Sequence, residues 1–88
     1  MTPDSDPLVA VLAGLRMMLA ELTGRDELLS AEPETALFGA GVGLDSLAGT
    51  LLLRQVQRRW GVDVAAEDLN LDALATLSTL AAFIADRI

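Results

Sequence analysis

This chain of 88 residues carries thirteen acids against six basic residues, a net charge of −7, and contains neither cysteine nor histidine. That length makes one domain with a modest core. The missing residue types exclude a disulfide framework, a thiol nucleophile, a histidine base and the usual zinc ligands, and the negative charge excludes a nucleic-acid surface, which needs cations to displace counterions.

Residues 1–6 read as a flexible, acidic tail without the basic and apolar character of a signal peptide, and apolar runs elsewhere are broken by charge well short of a membrane span. A cytoplasmic location is expected. Asp6 followed by Pro7 is a helix start, a capping side chain with a proline at the first helical position. Leu8, Leu12, Leu15, Leu19 and Leu22 then recur at helical spacing, with Val11 and Met18 beside them, and Gly24 closes the segment. Of Met17 and Met18, one packs and the other lies on the surface. Gly14 costs this helix roughly 1 kcal/mol relative to alanine.

Residues 24–44 show no sustained period and hold Pro33 and glycines at 24, 39, 41 and 43. A connection this long is either functional or carries a short helical turn. Leu28, Leu29, Leu37 and Phe38 are expected to pin it to the core. The Gly39-x-Gly41-x-Gly43 run fits no phosphate-binding pattern and follows no strand, so it reads as a flexible approach to the next helix.

Asp45 and Ser46 open a second helix that runs to about Trp60 and ends at Gly61. Gly49, Leu52, Leu53, Val56 and Trp60 share its core face, with Trp60 as an anchor. Leu47, Leu51, Arg54 and Arg58 form a second stripe, expected to be exposed. Val62, Val64 and the acidic run around Glu67, Asp68 and Asp72 follow; the acids lack calcium-loop spacing, and one helical turn is expected near 72–75. Thr76 caps a last helix with Leu77, Leu80, Ala81, Ile84 and Ile88 buried. No segment alternates as a strand does. The fold class is all-α: three main helices plus a short third turn, with a long loop between helices one and two.

The chemistry concentrates in Val42-Gly43-Leu44-Asp45-Ser46-Leu47. A helix N-terminus exposes unpaired amides and the positive end of the macrodipole, so an ester phosphate on a serine there is electrostatically favoured. Asp45 supplies the cap, and Gly43 lets the chain turn into the helix.

An apolar residue followed by Gly-x-Asp-Ser-Leu at the start of a second helix is similar to the attachment motif of acyl and peptidyl carrier proteins. The resemblance covers residues 7–88, which would then be one carrier domain. It implies the acyl-carrier-protein bundle and no catalytic activity. It implies that Ser46 receives 4′-phosphopantetheine from coenzyme A through a magnesium-using phosphopantetheinyl transferase. Asp45 would assist that transfer, and Leu47 would touch partner enzymes. The arm ends in a thiol that carries acyl or aminoacyl groups as thioesters. Further partners would be a loading enzyme and downstream synthase, transferase or tailoring enzymes, met by a monomer.

Fatty-acid carriers tend to have an acidic second helix, whereas this one bears Arg54, Arg58 and Arg59, with Leu51 where an acid might stand. That departure points to dedicated partners, so Leu47, Leu51, Arg54 and Arg58 are the candidate docking residues. The expected function is an acyl carrier of polyketide or hybrid biosynthesis. A free-standing peptidyl carrier is the alternative, and an unmodified helical adaptor the alternative of another class.

Overall fold

The computed structural model describes residues 6–68 and 72–88. The expected tail therefore lies outside the described residues except for Asp6, as do positions 69–71 of the acidic segment. Helix α1 spans Pro7–Thr23, α2 Ser46–Trp60, α3 Val64–Glu67 and α4 Leu77–Ala85, with 3-10 turns at Asp26–Ser30 and Asp72–Leu74. Among the described residues there is no strand, only two isolated bridges, Ala36 with Thr76 and Phe38 with Leu44. The chain is all-α, with the architecture of an acyl-carrier-like bundle.

Local chemistry sets the helix ends. The Asp6 carboxylate accepts from the Leu8 amide at 2.9 Å, with Pro7 in the first turn. Gly24 and Gly61 end α1 and α2 in the left-handed conformation, each donating its amide back into the last turn. Thr76 and Thr79 form a reciprocal capping box at α4: the Thr79 amide donates to Thr76 Oγ1 at 3.1 Å, and the Thr76 amide to Thr79 Oγ1 at 2.9 Å.

Helix α1 packs on α2, on α4 and on the 3-10 turn after it. The shared core is aliphatic, with Val11, Leu15, Leu19, Leu37, Leu52, Val56, Val64, Leu77, Leu80 and Ile84 all fully buried, and no polar or charged side chain is buried among the described residues. Each such side chain contributes roughly 1.5–3 kcal/mol through apolar burial.

Several expectations are corrected. The buried face of α1 centres on Val11, Leu15, Met18 and Leu19, while Leu8 is exposed and Leu12 and Leu22 are only half-buried. Three neighbours surround this helix, so its core face is wider than, and rotated from, the leucine stripe. Met18 packs and Met17 is exposed. In the long connection Leu28 and Leu37 are buried, but Leu29 and Phe38 are exposed. A single 3-10 turn lying on α1 has one inner side, and Leu28 occupies it. Ile88 is exposed because α4 ends at Ala85, short of another turn. The turn expected near 72–75 is present as Asp72–Leu74, whereas α3, capped by Asp63 on the Ala66 amide at 3.1 Å, was not expected.

Trp60 is half-buried at the α1–α2 seam rather than inside the core. Its ring explains Gly14: a Cβ added there would lie 2.8 Å from the Trp60 indole and 3.3 Å from the Arg59 guanidinium carbon. Gly14→Ala gains about 1 kcal/mol in helix propensity but overpacks the seam by about 1–3 kcal/mol, so a net loss near 1 kcal/mol is expected. Urea unfolding followed by Trp60 fluorescence measures it, and a more stable variant would reject this role for the glycine.

Candidate functional site

The segment before α2 is fixed by backbone pairing rather than by side-chain bulk. The Val42 amide donates to Ala36 O at 2.8 Å, and the Leu44 amide to Leu37 O at 3.0 Å. Arg25 Nη1 adds a bond to Val42 O at 2.9 Å. Val42 and Leu44 are buried on either side of Gly43, whose φ of +77° is the left-handed conformation that glycine adopts without strain. Gly41 is needed for space: a Cβ there would lie 2.0 Å from Ala36 O. The same strap is sewn to the start of α4, where the Leu37 amide donates to Ala75 O, the Leu77 amide to Thr35 O and the Ser78 amide to Pro33 O.

So held, the chain reaches Asp45 in an extended conformation, φ −94° and ψ −179°. Asp45 Oδ1 accepts from the Ala48 amide at 2.7 Å, and its carbonyl accepts from the Gly49 amide at 2.8 Å. Ser46 is the first helical residue and is exposed. Its hydroxyl and the amides of Ser46 and Leu47 have no hydrogen-bond partner among the described residues. The result is an accessible hydroxyl beside free donors at the positive end of a helix, a setting suited to a phosphodiester.

The capping role is testable alone. Asp45→Ala is expected to cost about 1 kcal/mol of stability, and Asp45→Asn only a few tenths, because both Asp and Asn cap well. Equal losses in urea denaturation would exclude the cap as the reason for the carboxylate.

Leu47, 70% exposed, and Leu51, 37% exposed, lie near this end of α2, and the exposed Arg54 and Arg58 continue the stripe towards the other end. All four candidate docking residues thus share one open face, while Gly49, Leu52 and Val56 face the core and Leu53 is half-buried. Two features escaped sequence reasoning. Phe38 lies over Gly49, where an added Cβ would meet its ring at 3.0 Å, which brings an exposed aromatic to within one turn of Ser46. Arg59 sits at the α1–α2 seam, its guanidinium 5.2 Å from the Trp60 ring centroid. Only the glycines hinted at either contact, since a helical glycine marks a close neighbour that sequence does not identify.

A family model described as "Phosphopantetheine attachment site" matches residues 13–84. No curated protein and no solved structure matches the chain. The matched span takes in the strap, all of α2 and most of α1 and α4. No helix among the described residues is long and apolar enough to cross a membrane.

Proposed function

Because the chain belongs to the phosphopantetheine attachment family, whose members are non-catalytic carriers of a covalent 4′-phosphopantetheine, we propose that it is an acyl carrier protein holding acyl groups on an arm attached to Ser46, in polyketide or hybrid natural-product biosynthesis. Residues 7–88 form the carrier domain. The observation that carries this reading is the exposed Ser46 hydroxyl, without a partner among the described residues, at the first position of a capped helix.

Each neighbouring residue has a distinct part. Asp45 fixes the start of α2 and, as the family resemblance implies, assists attachment by the transferase. The amides of Ser46 and Leu47 would be free to donate to a phosphate attached at the serine, and negative charge at a helix N-terminus gains roughly 0.3–1 kcal/mol. Val42 and Leu44, buried on both sides of Gly43, keep the serine presented at a fixed point. When bound, the arm supplies the terminal thiol that this cysteine-free chain lacks.

Carrier domains meet a phosphopantetheinyl transferase and loading or processing enzymes. In the proposal these dock on Leu47, Leu51, Arg54 and Arg58, and the protein acts as a cytoplasmic monomer. The arginines on α2 support dedicated partners over those of fatty-acid synthesis. A free-standing peptidyl carrier remains the second reading, supported by the same surface; it would be loaded by an amino-acid-activating enzyme rather than by an acyltransferase.

The test is intact-mass spectrometry after incubation with coenzyme A, magnesium and a promiscuous transferase. A gain of one phosphopantetheine, mapped by peptide sequencing to Ser46, is expected. No gain while a control carrier is modified alongside would leave the unmodified adaptor as the better reading.

A further inference from the structure

The six arginines divide into two groups. Three are engaged: Arg16 Nε donates to Ala31 O at 2.9 Å, Arg25 bonds Glu27 and Val42 O, and Arg87 bonds Glu67 and Phe83 O. The other three, Arg54, Arg58 and Arg59, all lie on α2 and make no hydrogen bond or ion pair among the described residues. In a chain of net charge −7, half of the arginines are thus gathered on one helix with no partner among the described residues. Arg58 and Arg59 complement the negative end of the α2 dipole, but Arg54 lies outside the last turn and its i,i+4 pairing with Arg58 is mildly repulsive. Folding alone does not account for the cluster.

Beside it runs an open groove of about 540 Å³ between α1 and α2. Gly14, Met17 and Met18 line it from α1, and Arg58 and Arg59 from α2. Met17 is 52% exposed although its thioether is apolar and adaptable. Arg59 is poised by its stacking on Trp60 and by the missing Cβ of Gly14, so its guanidinium is partly ordered before any partner arrives. Glu21 lines the same groove and makes no ion pair among the described residues; it repels carboxylates from the α1 wall and directs them to the α2 wall.

We propose that this groove and the arginine edge of α2 dock an acidic segment of a partner protein that inserts an apolar side chain over Met17 and places carboxylates on Arg54, Arg58 and Arg59. The charge complementarity selects the occupant. An arginine fork matches carboxylates, and the exposed Met17 gives an otherwise polar groove one apolar contact that suits a side chain rather than a bare anion. A second copy of this chain, nucleic acid and a membrane are the competing occupants. The inference extends the docking stripe proposed above to a second face, yet it rests on the arginines and groove alone and does not require Ser46 to carry anything.

The experiment titrates isotope-labelled, unmodified protein with a synthetic amphipathic helical peptide whose leucines are flanked by glutamates, and with its lysine counterpart, following amide shifts by NMR. The glutamate peptide is expected to shift the amides around Met17, Arg54, Arg58 and Arg59 and to bind at least about tenfold more tightly than the lysine peptide, with the difference shrinking as salt is added. The variants R54E/R58E, which keep Arg59 on Trp60, should lose about tenfold in affinity, and R87Q should lose nothing. Equal binding of both peptides, or shifts confined to other surfaces, would overturn the proposal. So would tighter engagement of the same arginines by duplex DNA or anionic vesicles, or concentration-dependent shifts without any peptide, which would assign the face to those occupants or to self-association. Because Ser46→Ala protein serves equally well in the titration, failure here and failure of the carrier reading are read out separately.

Discussion

Ser46→Ala protein is expected to take up no phosphopantetheine from coenzyme A under conditions that convert the wild type, while keeping its stability to within about 0.5 kcal/mol. The two outcomes come from the same geometry. The hydroxyl bonds to nothing among the described residues and its side chain is exposed, so its removal breaks no internal contact. Helix capping at this end is done by Asp45, whose carboxylate stays on the Ala48 amide. Alanine at a first-turn position even favours the helix slightly. The hydroxyl's loss therefore separates attachment from folding. Ser30 and Ser78 provide the internal comparison, since neither begins an α-helix. Uptake that persists in the variant, read by intact mass, would reject Ser46 as the attachment point. Loss of uptake with a large fall in urea midpoint would instead reject the claim that the side chain has no structural role.

Gly41→Ala is expected to produce the largest loss of stability of any alanine substitution in the strap, more than about 3 kcal/mol, or a fall in Tm of more than about 12 °C for a domain of this size. The added Cβ would fall 2.0 Å from Ala36 O and 2.8 Å from Ala36 N, atoms of backbone that cannot swing aside as a side-chain tip does. Relief requires breaking the Val42–Ala36 bond, which loosens the burial of Val42 and Leu44 and the placement of Asp45. Gly39 is the control in the same loop. It has a φ of +71° but open space around its Cβ position, so Gly39→Ala should cost only the left-handed strain of about 1–2 kcal/mol. Thermal melts of the two variants decide the matter; equal losses would mean that conformation, and not the close approach, is what the glycines provide.

Comparison of these two glycines shows what the sequence could carry. Both ends of α1 and α2 and the start of α4 were legible because each cap is a short-range event: Asp6 with Pro7, Asp45 with Ala48, Gly61 after Trp60, Thr76 with Thr79. The start of α2 at Ser46 was legible for the same reason. Burial was legible on α4 through Ile84, where the apolar period is regular, and less so on α1, whose three neighbours widen its inner face beyond the leucines. Helix α3 has only Val64 to bury and no room for a period, and its single Asp63 cap did not distinguish it from a turn. Nothing in residues 36–44 says that Gly41 abuts Ala36, that Phe38 rests on Gly49, or that Trp60 covers Gly14. Those contacts join positions whose distance in sequence carries no signal.

The strap that positions the serine has a consequence for the order in which the protein is built. Its bonds run to Ala75, Thr76 and Leu77, near the far end of the chain, while Ser46 is made much earlier. During synthesis α1 and α2 leave the ribosome with the strap still lacking its C-terminal bonds, and local helix formation is fast compared with closing so long a loop. The bonds from the strap to α4 can therefore form only once that helix is in place, so the approach to α2 gains the last of its supports late in folding.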